Sequence, residues 1–301
     1  MSVDRPLRGE LRRNVPLSGY TTWRVGGPAD LIYFPADVED LALFLAQLPE
    51  NEPLLWLGLG SNLLVRDGGF RGTVIALHGT LADMERLSET QVQVGAGITC
   101  ARLARFLAHQ KLTGGEFWGG IPGTLGGALA MNAGAFGGQT WDLVEKVTTI
   151  DRMGRLRIRT PTDFRIAYRE VQSAIVRSPE WFVAALLHLQ SALDESGTER
   201  IRALLERRAR TQPIGMASAG STFRNPEGDY AARLIEVSGL KGLCEGGACV
   251  SPVHANFIVN TGNATAQDIE TLIERVQSQV ERLHGIRLLP EIHVVGESLT
   301  G

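Results

Sequence analysis

Cysteine is scarce in this chain: three in 301 residues, at Cys100, Cys244 and Cys249. That is too few for the disulfide framework of a small secreted protein, and no His–Cys cluster with zinc spacing accompanies them. Cys244 and Cys249 flank a glycine-rich turn; all three are expected to be reduced thiols of a cytoplasmic protein, and no metal site is expected. Long apolar runs are missing as well, with nothing near the ~20 residues of a membrane span. The opening stretch MSVDRPLRGELRRN has no apolar core of a signal peptide. Positive charge is not in excess: 30 Lys and Arg against 33 Asp and Glu leave −3, which gives no reason to expect nucleic acid. There is no Walker A motif and no complete Rossmann glycine fingerprint. At 44% hydrophobic and 21% charged residues the composition is globular, and the length suffices for two or three domains.

Glycine, by contrast, is abundant and concentrated. Ten of the 35 glycines fall within the 25 residues Gly114–Gly138. Phe117, Trp118, Ile121, Leu125, Leu129, Met131 and Phe136 are threaded among them, with no Lys or Arg and a single acid, Glu116. A flexible linker would be polar. This composition suits buried backbone that turns tightly and approaches something closely, because glycine has no Cβ to obstruct either. Bare N–H groups along such a turn can hold phosphate oxygens. A second turn of this kind, Gly58-Leu59-Gly60-Ser61-Asn62, follows a strand-like Leu54–Leu57. Leu63 stands where a Rossmann motif would need its third glycine, so the turn is weak evidence alone. Together the two are backbone clamps of the sort a long dinucleotide needs.

Hydrophobic periodicity divides the chain into three. A helix over 38–48, with Asp37 and Asp40 at its start, joins strands at 31–34, 54–57 and 73–77 into a small first unit of residues 1–79. Strands at 91–95, 144–151, 155–159 and 182–189, with a helix capped by Thr99, make a mostly antiparallel second unit, 80–195. The third, 196–301, holds an arginine-rich helix over 199–210 and a short helix capped by Asp229 and running to Val237. A strand at 255–260 follows, then a strong helix boxed by Thr265 and Asp268, with Ile269, Leu272, Ile273, Val276, Val280 and Leu283 on one face and Gly285 ending it. The last element is a strand over 291–295.

Six motifs stand in a fixed order: PLSGYTTWRVGGP from Pro16, GLGSNLLVRD from Gly58, the run Gly120–Gly138, Tyr168-Arg169, AGSTFRNP from Ala219, and PEIHVVG from Pro290. Nearly end to end, the chain resembles the UDP-N-acetylenolpyruvoylglucosamine reductases, in the compact subtype that lacks an extra substrate-covering loop. The resemblance implies an α+β chain with the vanillyl-alcohol-oxidase-like FAD-binding fold, two small flavin-binding units and a C-terminal α/β substrate-binding domain. It implies noncovalent FAD, NADPH as reductant, and reduction of the enolpyruvyl ether of UDP-N-acetylenolpyruvoylglucosamine to UDP-N-acetylmuramate in peptidoglycan precursor synthesis, by a cytoplasmic monomer.

By motif match, Arg169 and Glu291 stabilise the negative charge that develops at C2 when hydride reaches C3, and Ser221 donates the proton to C2. Cofactor contacts fall on Gly58, Gly60, Ser61, Asn62, Leu63, Ile121, Pro122, Gly123, Thr124, Gly126, Gly127, Asn132, Ala133 and Gly134. Asn225, Arg208 and Arg210 are expected at the nucleotide portion of the substrate, Arg because its forked donors fit a diphosphate. Each also has a plainer reading: Arg169 paired with Glu170, Ser221 as a turn hydroxyl, Glu291 as a solvated acid, Asn225 as a cap. The chain departs from the family pattern at Trp23, Thr211, Cys249 and His293, the last two positions after Glu291 and so on the same face of the expected strand. Two rival readings are a flavin dehydrogenase or oxidase of the same fold with another substrate, and a flavin-binding module without catalysis.

Overall fold

The computed structural model describes residues 6–176, 178–192, 194 and 196–299; the expected limits at 1, 195 and 301 lie outside the described residues. Two compact units are assembled from interleaved segments. The first takes the described residues up to Arg12, Leu31–Gly58 and Gly72–Glu206; the second takes Arg13–Asp30, Leu59–Arg71 and the described residues from Arg207 onward.

The first unit has two hydrophobic cores. One forms around helix α1, Val38–Gln47, which begins where the Asp37 side chain accepts the Asp40 N–H and stops short of Pro49. Its Leu41, Phe44 and Leu45 pack with Tyr33, Ile75 and Leu77. Leu54–Leu57 runs parallel to Phe70–Ala76 beside them, with Leu54 opposite Thr73. Asp40 is a buried hub and not a surface acid: Tyr33 donates its hydroxyl to Oδ2 at 2.5 Å.

The second core lies under a five-stranded antiparallel sheet in the order Leu156–Arg159, Val144–Asp151, Glu180–His188, Gln91–Gly95, Met84–Arg86. Helix α2, Cys100–His109, is capped by Thr99 and buries Cys100, Leu103, Ala104 and Leu107. Next comes the glycine-rich segment with its short helix α3, Leu125–Ala130. An unforeseen hairpin pairs Phe164–Ala167 with Glu170–Ser173 and leaves Tyr168-Arg169 as its two-residue turn. Helix α4, Gly197–Thr211, carries the arginines.

In the second unit a four-stranded antiparallel sheet has the order Ala217–Ser218, Ile258–Asn260, Ala248–Val250, Cys244–Glu245. It packs with α5, Ala231–Val237, and α6, Ala266–His284. The capping box of α6 is complete, and Gly285 ends it at φ 68°. Trp23, fully buried, donates its indole N–H to Ile258 O at 2.8 Å, and its own carbonyl accepts Asn260 Nδ2. A parallel pair joins His293–Val295 to Leu63–Val65.

Several expectations in this unit need correction. The cysteines are not all free thiols: Cys244 and Cys249 are disulfide-bonded, because the Gly246-Gly247 hairpin sets them directly opposite one another with Cα atoms 4.1 Å apart. Cys100 alone is free, and burial pushes its thiol up to about 12. Leu283 is exposed; Gln277 fills the end of the buried face and donates to Leu288 O at 2.7 Å. Helix α5 starts after Tyr230, and its Ala231 N–H goes to Asn225 Oδ1, while Asp229 accepts from Tyr230 N. The strand expected from Ala255 begins at Ile258, since His254–Phe257 close a turn. The last strand starts at His293, leaving Glu291 outside it: the Glu291 N–H and C=O bond two different segments.

Candidate active site

In the first unit the glycine-rich segment is held from behind by two tryptophans. Trp118 donates to Thr140 Oγ1 at 3.1 Å and Trp141 to Leu129 O at 2.8 Å. Leu125 and Gly126 donate their N–H groups to Ile98 O and Ala96 O, and Cys100 N–H binds Gly123 O. Gly123 N–H turns back to Ile121 O and Ala133 N–H to Ala128 O, while Pro122 lies exposed between them. A Cβ at Gly58 would lie 2.4 Å from Thr124 Oγ1, one at Gly134 2.6 Å from Gly138 O, and one at Gly126 3.1 Å from Ala96 Cβ. Packing within the unit therefore accounts for those three glycines.

Gly127 is different. A Cβ there would meet nothing nearer than Thr124 Oγ1 at 3.8 Å, and the residue is exposed on α3. Glycine inside a helix costs about 1 kcal/mol relative to alanine. No packing demand of the unit offsets that cost, as befits backbone kept clear for a ligand's approach. The Thr124 hydroxyl, capping α3 on Gly127 N–H, fixes that backbone.

Beside this segment lies a cleft of about 740 Å³ lined by Asn132, Gly134, Phe136, Asp142, Tyr168 and Arg169 among others. Three lining residues hold left-handed backbone without being glycine: Asn132 at φ 40°, Phe136 at 53° and Arg169 at 57°. Strained conformations of this kind persist only where surrounding contacts impose them. Arg169 sits at the tip of the hairpin, where its guanidinium donates to Asn132 O at 3.3 Å and Gly134 O at 3.0 Å and lies over the Tyr168 ring at 4.9 Å. Buried Asn132 supports the same turn, its amide donating to Ala167 O and Gln139 Oε1 and accepting Trp141 N–H. The side chain of Asn132 is thus committed within the protein.

The second unit holds the other named residues. Gly60, at φ 61°, needs its glycine twice over, because a Cβ would fall 2.2 Å from Tyr20 O. Ser61 is half-buried beside it; Asn62 donates its amide to Glu291 O at 3.1 Å, and Leu63 is a buried strand residue. Ser221 follows Gly220, whose φ of 73° turns the chain, and the Ser221 hydroxyl has no hydrogen-bond partner among the described residues. Its neighbour Thr222 accepts the Glu291 N–H at 2.8 Å, so Ser221 and Glu291 belong to two adjoining extended segments. His293 lies near, its imidazole drawn below the usual value by desolvation and then by the Arg224 charge.

Arg208 is half-buried near the end of α4. Its Nε donates to Gln212 Oε1 at 2.9 Å, and burial alone draws the guanidinium down, with no carboxylate among the described residues to offset it. A desolvated cation with no anion beside it is a ready partner for a ligand's phosphate. Arg210 is exposed, and Asn225 is exposed with its oxygen already taken by α5. Phe136 and Tyr168 stood in sequence motifs but were given no role, and the buried Asn256 was not assigned one at all, because its bonds span 33 positions.

Within the first unit, a glycine backbone kept clear beside a cleft with a cationic hairpin tip fits a flavin-dependent oxidoreductase. Sequence comparison agrees: the family model described as FAD binding domain matches residues 29–159. A second, UDP-N-acetylenolpyruvoylglucosamine reductase, C-terminal domain, matches residues 212–295. The chain is 57% identical over 299 residues to the UDP-N-acetylenolpyruvoylglucosamine reductase of Alkalilimnicola ehrlichii, covering 99% of each. It is 55% identical over 293 residues to that of Methylococcus capsulatus, covering 97% of this chain and 95% of that one. The crystal structure of the enzyme from Thermus caldophilus superposes with a TM-score of 0.79 at 33% identity, over 95% of this chain and 98% of that one. The chain belongs to the UDP-N-acetylenolpyruvoylglucosamine reductase family, and its α+β fold is the vanillyl-alcohol-oxidase-like FAD-binding fold of that family.

Proposed function

We propose that Ser221, Glu291 and Arg169 carry the charge and proton steps of this family's reaction, the NADPH-driven, FAD-dependent reduction of UDP-N-acetylenolpyruvoylglucosamine to UDP-N-acetylmuramate for peptidoglycan precursors. Bound FAD supplies the hydride chemistry. Gly127, backed by Thr124, is the position of the first unit that best fits it. The protein's own residues supply position and charge. When hydride adds to the enolpyruvyl C3, negative charge grows on C2 and its carboxylate, and a cation held in advance lowers that barrier. Arg169 fits the role: two carbonyls and the Tyr168 ring hold its guanidinium. Ser221 gives its proton to C2, a transfer that a carboxylate-stabilised carbanion is basic enough to drive. The single observation that carries the assignment is the joining of Ser221 and Glu291 through the Glu291 N–H and Thr222 carbonyl.

Arg208 is our choice for the diphosphate, with Arg210 and Asn225 nearby in sequence. We keep a threefold division of labour, with 1–79 and 80–195 serving the flavin and 196–301 the substrate, although each of the three hydrophobic cores draws residues from across those bounds. We read the protein as a cytoplasmic monomer that binds neither membrane nor nucleic acid. No helix among the described residues is long and apolar enough to cross a membrane. The Cys244–Cys249 bond pulls against a reducing compartment.

Rapid mixing tests the proton step. Ser221→Ala should keep its FAD and be reduced by NADPH at the wild-type rate, since no substrate carbanion forms there. Reoxidation by the enolpyruvyl substrate should slow by ~10²–10⁴-fold, the usual contribution of a general acid. Wild-type reoxidation in this variant would remove Ser221 from the mechanism.

A further inference from the structure

Asn256 is 4% exposed and lies in the turn after the cysteine hairpin, away in sequence from every motif named above. Its Oδ1 accepts the Phe223 N–H at 2.9 Å, and its Nδ2 donates to the Phe223 carbonyl at 2.8 Å. Its main-chain oxygen accepts the Thr222 N–H at 2.8 Å. Three bonds from one residue thus fall on the two residues that follow Ser221. A side-chain amide that satisfies both the N–H and the C=O of one residue does the work of a neighbouring strand.

The opposite edge of the same segment is held by main chain. Thr222 O accepts Glu291 N–H, Arg224 N–H donates to Leu289 O, and Phe223 bridges Pro290. Those two bonds flank the Phe223–Pro290 pair, so the Phe223 N–H and C=O face the other edge, where Asn256 meets both. Asn256 is itself fixed. Its N–H donates to His254 Nδ1 at 3.3 Å, and Ser251 Oγ accepts the N–H groups of Val253 and His254. Phe257 N–H closes the turn on His254 O.

We infer that Asn256 is a positioning residue for the reaction: its amide fixes the Thr222–Phe223 backbone and thereby the point from which the Ser221 hydroxyl delivers its proton. The inference rests on the assignment of Ser221 made above. On the other side the sheet pairing ends at Ser218, and Ala219 and the left-handed Gly220 lie between it and Ser221. The bonds nearest Ser221 are therefore those on its C-terminal side, where Asn256 acts.

The test uses the FAD-loaded enzyme in rapid-mixing absorbance, with Asn256→Ala, Asn256→Asp, Ser221→Ala and the Ser221→Ala/Asn256→Ala double variant. Asn256→Asp keeps the size and the acceptor for Phe223 N–H but loses the donor, so it serves should the alanine variant not fold. Both Asn256 variants should retain flavin and be reduced by NADPH at the wild-type rate. Their reoxidation by the enolpyruvyl substrate should slow by ~10–100-fold, because misplacing a catalytic group by about 1 Å can cost that much. The double variant should be no slower than Ser221→Ala alone, since a residue acting through Ser221 has nothing left to position. Wild-type reoxidation in the Asn256 variants, equal slowing of both half-reactions, or losses that multiply in the double variant would each overturn the inference. If Ser221→Ala collapses while the Asn256 variants do not, only the positioning role fails. If Ser221→Ala reoxidises normally, the Ser221 assignment fails and this inference falls with it.

Discussion

Two glycines that look alike in sequence serve different masters. Gly60 is required by its own unit, through a left-handed φ of 61° and a carbonyl 2.2 Å from where a Cβ would stand. Gly127 meets no such demand, with 3.8 Å to the nearest atom. Gly127→Val should therefore purify folded, with an apo-protein thermal midpoint near wild type and a markedly lower ratio of flavin to protein absorbance. Gly60→Val should lose stability outright, so a low flavin content in that variant would say nothing about contact with the cofactor. A full flavin complement in Gly127→Val would show that its backbone is not where FAD approaches. Arg169 makes the complementary point. Its left-handed φ is sustained without glycine because two distant carbonyls hold the guanidinium, and such long-range compensation leaves no mark in the local sequence.

At the level of elements, the turn Ser251–Phe257 has a pH signature. His254 Nδ1 accepts a backbone N–H, so the ring is neutral there, and its value is lowered chiefly by burial, then by Lys241, with Glu236 opposing. With the folded value below the unfolded one, at about 6.5, the unfolded chain binds a proton that the folded chain refuses. Stability falls as pH drops from that unfolded value toward the folded one, and is unaffected by this group at higher pH. Denaturant midpoints measured from about pH 7.5 to about pH 5 should show this slope in wild type and a smaller one in His254→Asn. Equal slopes would assign the effect elsewhere.

The elements legible in sequence were those whose signals are local. Asp37, Thr99 and the Thr265–Asp268 box announced three helices because a cap acts across three residues. Alternation gave four of the five strands of the antiparallel sheet to within two residues and missed Met84–Arg86, and the Gly58–Asn62 turn was visible as a strand exit. What escaped was set by partners far away. The Phe164–Ser173 hairpin turns on Tyr168-Arg169, with none of the usual glycine or asparagine. Glu291 left its strand because Thr222 and Asn62 claimed its backbone. The disulfide is the exception, since Gly246-Gly247 with a residue on each side is a hairpin that would bring Cys244 opposite Cys249. Its signal was local and could have been read.

For the whole molecule, the interleaving of the two units has practical weight. The segment matching the family's C-terminal domain, 212–295, does not contain all of its own core. Trp23, Val25 and Leu64 complete that core from early sequence, and Leu63–Val65 supplies the only strand paired with His293–Val295 among the described residues. A fragment of residues 207–301 should therefore be poorly folded alone. Its circular dichroism should show little cooperative thermal transition, whereas a sharp transition would mean that the early segments are dispensable.

The same arrangement sets an order of events during synthesis. Trp23 waits 235 positions for the carbonyl of Ile258, and Asn62 waits 229 for that of Glu291. At ~5–20 residues per second on the ribosome, those early segments spend many seconds without their partners. The second unit can close only when the last few residues of the chain have left the exit tunnel. A premature stop near the C-terminus would thus leave Trp23, Val25 and Leu64 without much of the core they pack against, and a nascent-chain chaperone would have its longest task on those early segments.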